Sequence, residues 1–297
     1  MPPESEILVT GASGMFGRAL LKRWASAKKA EGVSLSGRHD TRACDLTSRA
    51  AVADLFKKNS RKLVIHAAAY SDVDGCERDP ARAHAANALA TQNLAQVCGS
   101  KNIPLVFIST DYVFDGRKSS AYAEADRTFP INIYGMTKLE GEVHALRCAA
   151  PSVVVRTSWL FGAENPNNFV NAILARLRRE AVVAVLDDQE DAPTFVEDLA
   201  AAVEVIADSL LKKPLRGIFH VCNSGSATRH GMALKMKEWI GRGPARVEKA
   251  DPGQVKGRLA VRPGHSVLST KHFESSFGMK LRPWEEALEE YVRSCAS

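Results

Sequence analysis

Ile7-Leu8-Val9-Thr10-Gly11-Ala12-Ser13-Gly14-Met15-Phe16-Gly17 is the stretch that decides how this chain folds. A short apolar run is followed at once by three glycines spaced three apart, then by an amphipathic stretch reaching about Lys29. Strand, glycine loop and helix in that order present backbone N–H groups at the positive end of a helix. The loop is therefore set to hold the pyrophosphate of a dinucleotide. Gly11, Ser13, Gly14, Met15, Phe16 and Gly17 are the cofactor-binding residues expected of it.

Val33-Ser34-Leu35 reads as a second strand, and Leu63-Val64-Ile65 as a buried strand ending in His66-Ala67-Ala68-Ala69. Helical periodicity over residues 80–99 precedes the apolar run Pro104-Leu105-Val106-Phe107-Ile108. A helix from about Tyr134 to Ala149 then leads to Val153-Val154-Val155. Short, wholly apolar strands alternating with helices indicate a parallel sheet covered on both faces. The expected class is α/β, a doubly wound parallel (Rossmann-like) sheet whose ligands lie beyond the carboxyl ends of the strands. After Arg156 the pattern loosens, with Val182–Leu186 and Gly217–Val221 reading as late strands flanking a helix over 196–212. Residues 1–157 and about 181–222 are assigned to the dinucleotide-binding domain. Residues 158–180 and 223–297 are assigned to a smaller mixed α/β substrate-binding lid.

Composition narrows the function classes. The 297 residues are 45% hydrophobic and 25% charged, ordinary globular values. Six cysteines are scattered without a C-x-x-C pair, so thiols buried or incidental in a reducing compartment are expected, and no metal site. The first strand begins by Glu6, which leaves no room for a signal peptide, and no apolar run is long enough to span a bilayer. A cytoplasmic protein without a membrane partner is the expectation. The net charge of +6 is dispersed in short clusters such as Arg176, Arg178 and Arg179, which excludes nucleic acid as the favoured partner. A modest positive field suits an anionic cofactor and an anionic small substrate.

Chemistry-bearing residues fall at the strand ends. A dinucleotide fold that prefers NAD places an acidic residue after the second strand. Here Ser36-Gly37-Arg38-His39 stands there, with Asp40 arriving late, so Arg38 is placed for a 2′-phosphate. NADP(H) is the expected cofactor, NAD(H) the alternative. Asp45 and Leu46 border the adenine, although Asp45 also reads as a helix cap. Ala67, Ala68 and Ala69 line the cofactor, with His66 packing beside it. Ser109-Thr110-Asp111 closes a strand, and a hydroxyl there either orients a bound carbonyl or caps its own turn. Tyr134 and Lys138, four apart, share one helix face, and a nearby ammonium lowers a phenol's pKa toward the range of general acid catalysis. Asn87 is either a surface residue or part of a polar relay to Lys138.

These segments together resemble the extended short-chain dehydrogenase/reductase superfamily, and within it the dTDP-4-dehydrorhamnose reductase family. The resemblance runs through the Gly11 loop, His66–Tyr70, Ser109–Gly116, Pro130–Lys138, Arg156–Gly162, Asn168-Phe169, Asp188-Gln189, Pro193-Thr194 and Arg262-Pro263. It implies NADPH-dependent reduction of the C4 keto group of a nucleotide-linked 4-keto-6-deoxy sugar by a monomer or homodimer. It implies a catalytic set of Thr110, Tyr134 and Lys138, and a substrate side containing Asp111, Trp159, Asn168 and Arg262. Two positions depart from the family pattern. Arg18 stands where some members carry an acidic residue of a metal-bridged dimer, and Asp191 stands where glycine is usual. Other sugar-nucleotide epimerases, reductases and dehydratases share the superfamily fold, but Tyr112 follows Thr110-Asp111 where dehydratases carry Glu. A non-catalytic alternative resembles the methionine adenosyltransferase beta subunit.

Overall fold

In the computed structural model, which describes residues 6–25, 30–57, 61–163, 165, 168–241, 245–251 and 257–295, the chain alternates strands and helices through its first half. In order these are β1 (Ile7–Thr10), α1 (Met15–Trp24), β2 (Ala30–Ser34), β3 (Arg42–Ala43), α2 (Arg49–Leu55), β4 (Leu63–His66), α3 (Val73–Arg78) and α4 (Pro80–His84). There follow α5 (Ala90–Lys101), β5 (Leu105–Thr110), α6 (Ile133–Leu146) and β6 (Ser152–Thr157). The second half comprises β7 (Leu160–Phe161), α7 (Phe169–Arg179), β8 (Val182–Val185), β9 (Glu190–Asp191), β10 (Thr194–Phe195), α8 (Val196–Lys212) and β11 (Gly217–His220). Last come β12 (Ala227–Thr228), α9 (Arg229–Ile240), β13 (Arg246–Lys249), α10 (Lys271–Phe277) and α11 (Trp284–Ser294).

Seven strands form one parallel sheet in the order β11-β6-β5-β4-β1-β2-β3. The chain winds outward from β1 in both directions, so the sheet is doubly wound and its switch point lies between β1 and β4. Alternation along β1 shows why its sequence is continuously apolar. Ile7 and Val9 pack with Leu20, Trp24, Leu199 and Ile206 on one face, and Leu8 packs with Leu55, Leu94 and Phe107 on the other.

Two elements differ from the sequence expectation, and the end of a third falls on residues outside those described. α1 ends at Trp24, and the expected end near Lys29 lies outside the described residues. The helix expected over 80–99 is α4 and α5 joined by a π-helical turn over Ala85–Leu89, a widening that often marks functional positions. Residues 182–186 were expected in the dinucleotide-binding part. Instead β8 pairs in parallel with β13, and Val183 and Val185 join a separate core with Ile173, Phe195, Met232 and Leu288. α8 covers and β11 extends the large sheet. No described helix is long and apolar enough to cross a membrane. Five of the six cysteines are buried and all are free.

Candidate active site

The carboxyl ends of β1, β4, β5 and β6 open onto a cleft of about 730 Å³ that the second core closes from above. Its floor is the glycine loop. Gly11 adopts φ +67°, and a Cβ there would stand 2.6 Å from the carbonyl oxygen of Ala67, so only glycine lets β1 and β4 approach at the switch point. Gly14 N donates to Gly11 O at 2.9 Å, and α1 starts immediately after, with its free N–H groups at the cleft. Ser13, Met15, Phe16, Asp45, Leu46, Ala67, Ala68 and Ala69 also line it. Asp45 is not a helix cap: Ser48 caps α2, and Asp45 Oδ1 instead accepts from the N–H and hydroxyl of Thr47 at 2.9 and 2.7 Å.

Arg38 is exposed on the turn after β2 and outside the cleft lining. The turn carries left-handed His39 and Asp40, and Arg18 reaches it from α1, with Nη1 3.4 Å from His39 Nδ1. The position where some family members carry an acidic residue of a metal-bridged dimer holds a cation directed at the end of β2.

His66 is buried, its ring nitrogens 2.7 Å from Thr10 Oγ1 and 3.0 Å from Thr91 Oγ1. Burial, then the charge of Lys138, pushes its pKa down to about 3, so it is a neutral packing residue. Asn87 is buried on the π turn; it bonds both backbone groups of Tyr70 and donates to Thr137 Oγ1 at 3.0 Å. It fixes the loop after β4 to α6 and has no bond to Lys138.

α6 brings Tyr134 and Lys138 to the cleft. Asn132 caps it, accepting from Gly135 N at 2.8 Å. Any Cβ at Gly135 would overlap the carbonyl oxygen of Tyr112, so this glycine lets the helix start press against the end of β5. There Thr110 Oγ1 accepts from Tyr112 N at 3.2 Å and lies 3.0 Å from Asp111 Oδ1, and its hydroxyl stands beside that of Tyr134. Thr110 both caps its turn and touches the candidate acid. Its neighbour Ser109 faces away, donating to Glu142 Oε1 at 2.6 Å within a buried Glu142–Arg156 pair.

The electrostatics differ from expectation. Burial, then the Asp111 charge, raises the Tyr134 pKa, with the Thr110 bond pulling it down. Lys138 does not depress it here. Its Nζ donates to Ile108 O at 2.7 Å and lies 4.0 Å from the Phe107 ring centroid. Burial pushes the Lys138 pKa down to about 7, against the pull of Glu142. The arrangement is a protonated phenol held beside a hydroxyl, with an amine one turn deeper.

The substrate side is partly rearranged. Trp159 lines the cleft and has φ +39°, a strained backbone of the kind concentrated at functional sites. Asp111 lines the cleft, with its carboxyl buried and engaged by Thr110 and Ser266. Asn168 caps α7 through Oδ1, and its amide donates to the carbonyls of Gly162 and Asn165, so its side chain is occupied in shaping the lid loop. Arg262 lies outside the lining, ion-paired to Asp74 at 2.6 Å. Burial opposes the Asp74 charge, but bonds from Arg262 and from the N–H groups of Ala260 and Leu259 hold its pKa down to about 2.

A cation of the cleft escapes sequence inspection. Arg229 opens α9 and lies between Trp159 and Phe169, 4.4 and 4.7 Å from their ring centroids. Among the described residues no carboxylate forms an ion pair with it. A cation at the first position of a helix opposes the helix dipole, a local conflict that marks a residue kept for another reason.

Comparison with known proteins agrees with this geometry. The model of the RmlD substrate binding domain family matches residues 5–297. The chain is 36% identical over 287 residues to a dTDP-4-dehydrorhamnose reductase of Mycolicibacterium smegmatis, covering 96% of this chain and 84% of the relative. It is 36% identical over 290 residues to one from Streptomyces griseus, covering 97% and 93%. A crystal structure of dTDP-4-dehydrorhamnose reductase from Bacillus anthracis in complex with NADP superposes with a TM-score of 0.88 at 29% identity, covering 98% of this chain and 99% of that one. With a family model spanning nearly its whole length and relatives of this identity, the chain belongs to the dTDP-4-dehydrorhamnose reductase family of extended short-chain dehydrogenases/reductases.

Proposed function

We propose that this protein reduces the C4 keto group of a nucleotide-linked 4-keto-6-deoxy sugar with NADPH, converting dTDP-4-dehydro-L-rhamnose to dTDP-L-rhamnose. The observation that carries the reading is that Thr110, Tyr134 and Lys138 converge with the glycine loop on a single cleft. NADP, the ligand named for the Bacillus anthracis relative, fits the residues present. The loop leaves no room for a Cβ at Gly11, and α1 aims its free N–H groups at the pyrophosphate position. Arg38 and Arg18 supply positive charge at the end of β2, where a 2′-phosphate would lie. When bound, NADPH supplies the hydride.

This chain's residues supply the rest. Tyr134 keeps its proton at neutral pH, as a general acid must, and gives it to the carbonyl oxygen as charge develops there. Thr110 adds a second hydrogen bond to that oxygen. Lys138 turns from Ile108 to the nicotinamide ribose and brings a positive charge toward the phenol. Arg229 meets the substrate diphosphate, because the other candidate, Arg262, is neutralised by Asp74. Since such cofactors and sugar nucleotides are cytoplasmic solutes, the protein is expected there.

The experiment is NADPH oxidation with freshly generated dTDP-, UDP- and GDP-4-keto sugars. Turnover of the dTDP substrate to dTDP-L-rhamnose is expected. Silence with every sugar, together with tight binding of a partner enzyme, would instead favour a regulatory subunit.

A further inference from the structure

Immediately behind Thr110 lie two carboxyl groups that the proposed reaction does not use. Asp111 follows β5, and Asp191 ends β9; they are 2% and 1% exposed. Ser266 Oγ is 2.7 Å from Asp111 Oδ2 and 3.2 Å from Asp191 Oδ2. Each carboxyl group lies within electrostatic reach of the other. Asp191 Oδ1 accepts from Ala192 N at 2.7 Å, and Asp111 Oδ1 lies 3.0 Å from Thr110 Oγ1.

The hydrogen count constrains this cluster. An ionised carboxylate only accepts, and Ser266 has one hydroxyl hydrogen to give. It cannot donate to both acids at once, so the second Ser266 contact is satisfied when one acid carries a hydrogen. Charge argues the same way, since two adjacent carboxylates removed from water resist double ionisation unless a cation pairs with them. Tyr112, Tyr134, Ser158 and Cys222 face the pair, and Arg229 is the charged group within electrostatic reach. Among the described residues none forms an ion pair with either acid.

We propose that Asp111 and Asp191 share one proton, and that this proton sets the direction in which the Thr110 hydroxyl donates. While the pair holds it, Asp111 is a weak acceptor, and the Thr110 hydrogen is free to point into the cleft. When the pair is doubly ionised, Asp111 captures that hydrogen. The oxygen of Thr110 stays fixed by Tyr112 N throughout, and only its hydrogen swings. Asp191 is thus a positioning residue, acting on the reacting carbonyl through Asp111 and Thr110. This role rests on the reductase reading.

Two measurements on the full-length protein test it. Infrared spectroscopy with isotope-labelled aspartate should show a protonated carboxyl C=O stretch at neutral pH in the wild type, with no substrate needed, and none in Asp191→Asn. The amide can donate to Asp111 but carries no titratable proton, so Asp111 should then be ionised at neutral pH. In turnover, Asp191→Asn should lower kcat about tenfold at neutral pH, the effect of one lost hydrogen bond at the reacting oxygen. KM and NADPH affinity should stay near wild type. Burial raises both acids, so the wild-type proton is present below the pair's elevated pKa and lost above it. Wild-type kcat should therefore fall on the alkaline side, a limb the variant lacks at the same pH. A wild-type spectrum without the carboxylic band overturns the shared proton, and this reading stands even if the variant misfolds. Wild-type kcat and pH profile in a folded variant overturn the control of Thr110. No turnover with any keto sugar while the band persists would retire the reductase reading and Thr110's role with it, leaving the shared proton.

Discussion

Lys138 Nζ lies 2.7 Å from the carbonyl oxygen of Ile108, two residues before Thr110 on the same strand. The amine is held inside the protein by one backbone acceptor and the Phe107 face, with its pKa pushed down to about 7 by burial. An unfolded lysine keeps its proton to about 10.4. Between those values the unfolded state binds more protons than the native state, so stability rises with pH across that window. Below about 7 both states are protonated and the native state carries the full cost of the buried charge.

The expected outcome is that Lys138→Met abolishes most turnover and weakens NADPH yet raises Tm at neutral pH. That gain should shrink as pH approaches the unfolded lysine's value. Thermal melts of both proteins between neutral and strongly alkaline pH check it. A variant less stable than wild type at every pH would mean that the Ile108 and Phe107 contacts outweigh desolvation.

Tyr134→Phe tests the proton donor. The ring edge packs on Tyr112, centroids 5.9 Å apart, and that contact survives loss of the hydroxyl. Folding and cofactor binding should be retained, while kcat falls about 10²–10⁴-fold, the usual range for general acid help. Turnover at the wild-type rate, with chemistry limiting, would place the proton source elsewhere.

Much of this was legible in the chain, for reasons particular residues make plain. The doubly wound sheet could be read because β1, β4, β5 and β6 are buried on both faces and so carry unbroken apolar runs. β8 misled by the same rule. Its Val-Val-Ala-Val composition hides an alternation in which Val182 and Ala184 face solvent and Val183 and Val185 face the lid core. Side-chain partners were illegible wherever they come from far away. Asp74 neutralises Arg262 across 188 residues, and Asp191 meets Asp111 beside Ser266, all three far apart in the chain. Asn168 reads equally well as a ligand contact and as the helix cap it is, since a short amide serves either. The Lys138–Tyr134 spacing was correct, but an i, i+4 pair fixes a shared face and not the rotamer, which Ile108 O decides.

Arg38 is the proposed contact for a 2′-phosphate. Because its side chain is exposed, a contact with a 2′-phosphate would be screened, and the effect should sit near the low end for charge-assisted bonds. Arg38→Ala should weaken NADPH about tenfold relative to NADH, less at high salt. Titration of both cofactors by fluorescence reads this directly. Equal losses for the two would remove Arg38 from the 2′-phosphate site.

Arg229 and Arg262 should separate in kind. Arg229 is stacked between Trp159 and Phe169 with no carboxylate paired to it among the described residues, so its charge is free for an anionic ligand. Arg229→Met keeps bulk between the rings and removes the charge. It should raise KM for the sugar nucleotide, and weaken dTDP, by about 10- to 100-fold, the scale of a lost charge-assisted contact, while NADPH binding holds. Arg229→Lys should recover little, because an ammonium neither stacks as a plane nor grips a phosphate with a fork. Arg262→Met leaves Asp74 partly buried without its cation, so its main effect should be a lower Tm. Calorimetric titration with dTDP beside thermal melts of both variants distinguishes the two. If Arg262→Met weakens dTDP while Arg229→Met does not, the diphosphate lies on the Asp74 side of the lid, and Arg229 serves only to prop Trp159 in its strained conformation.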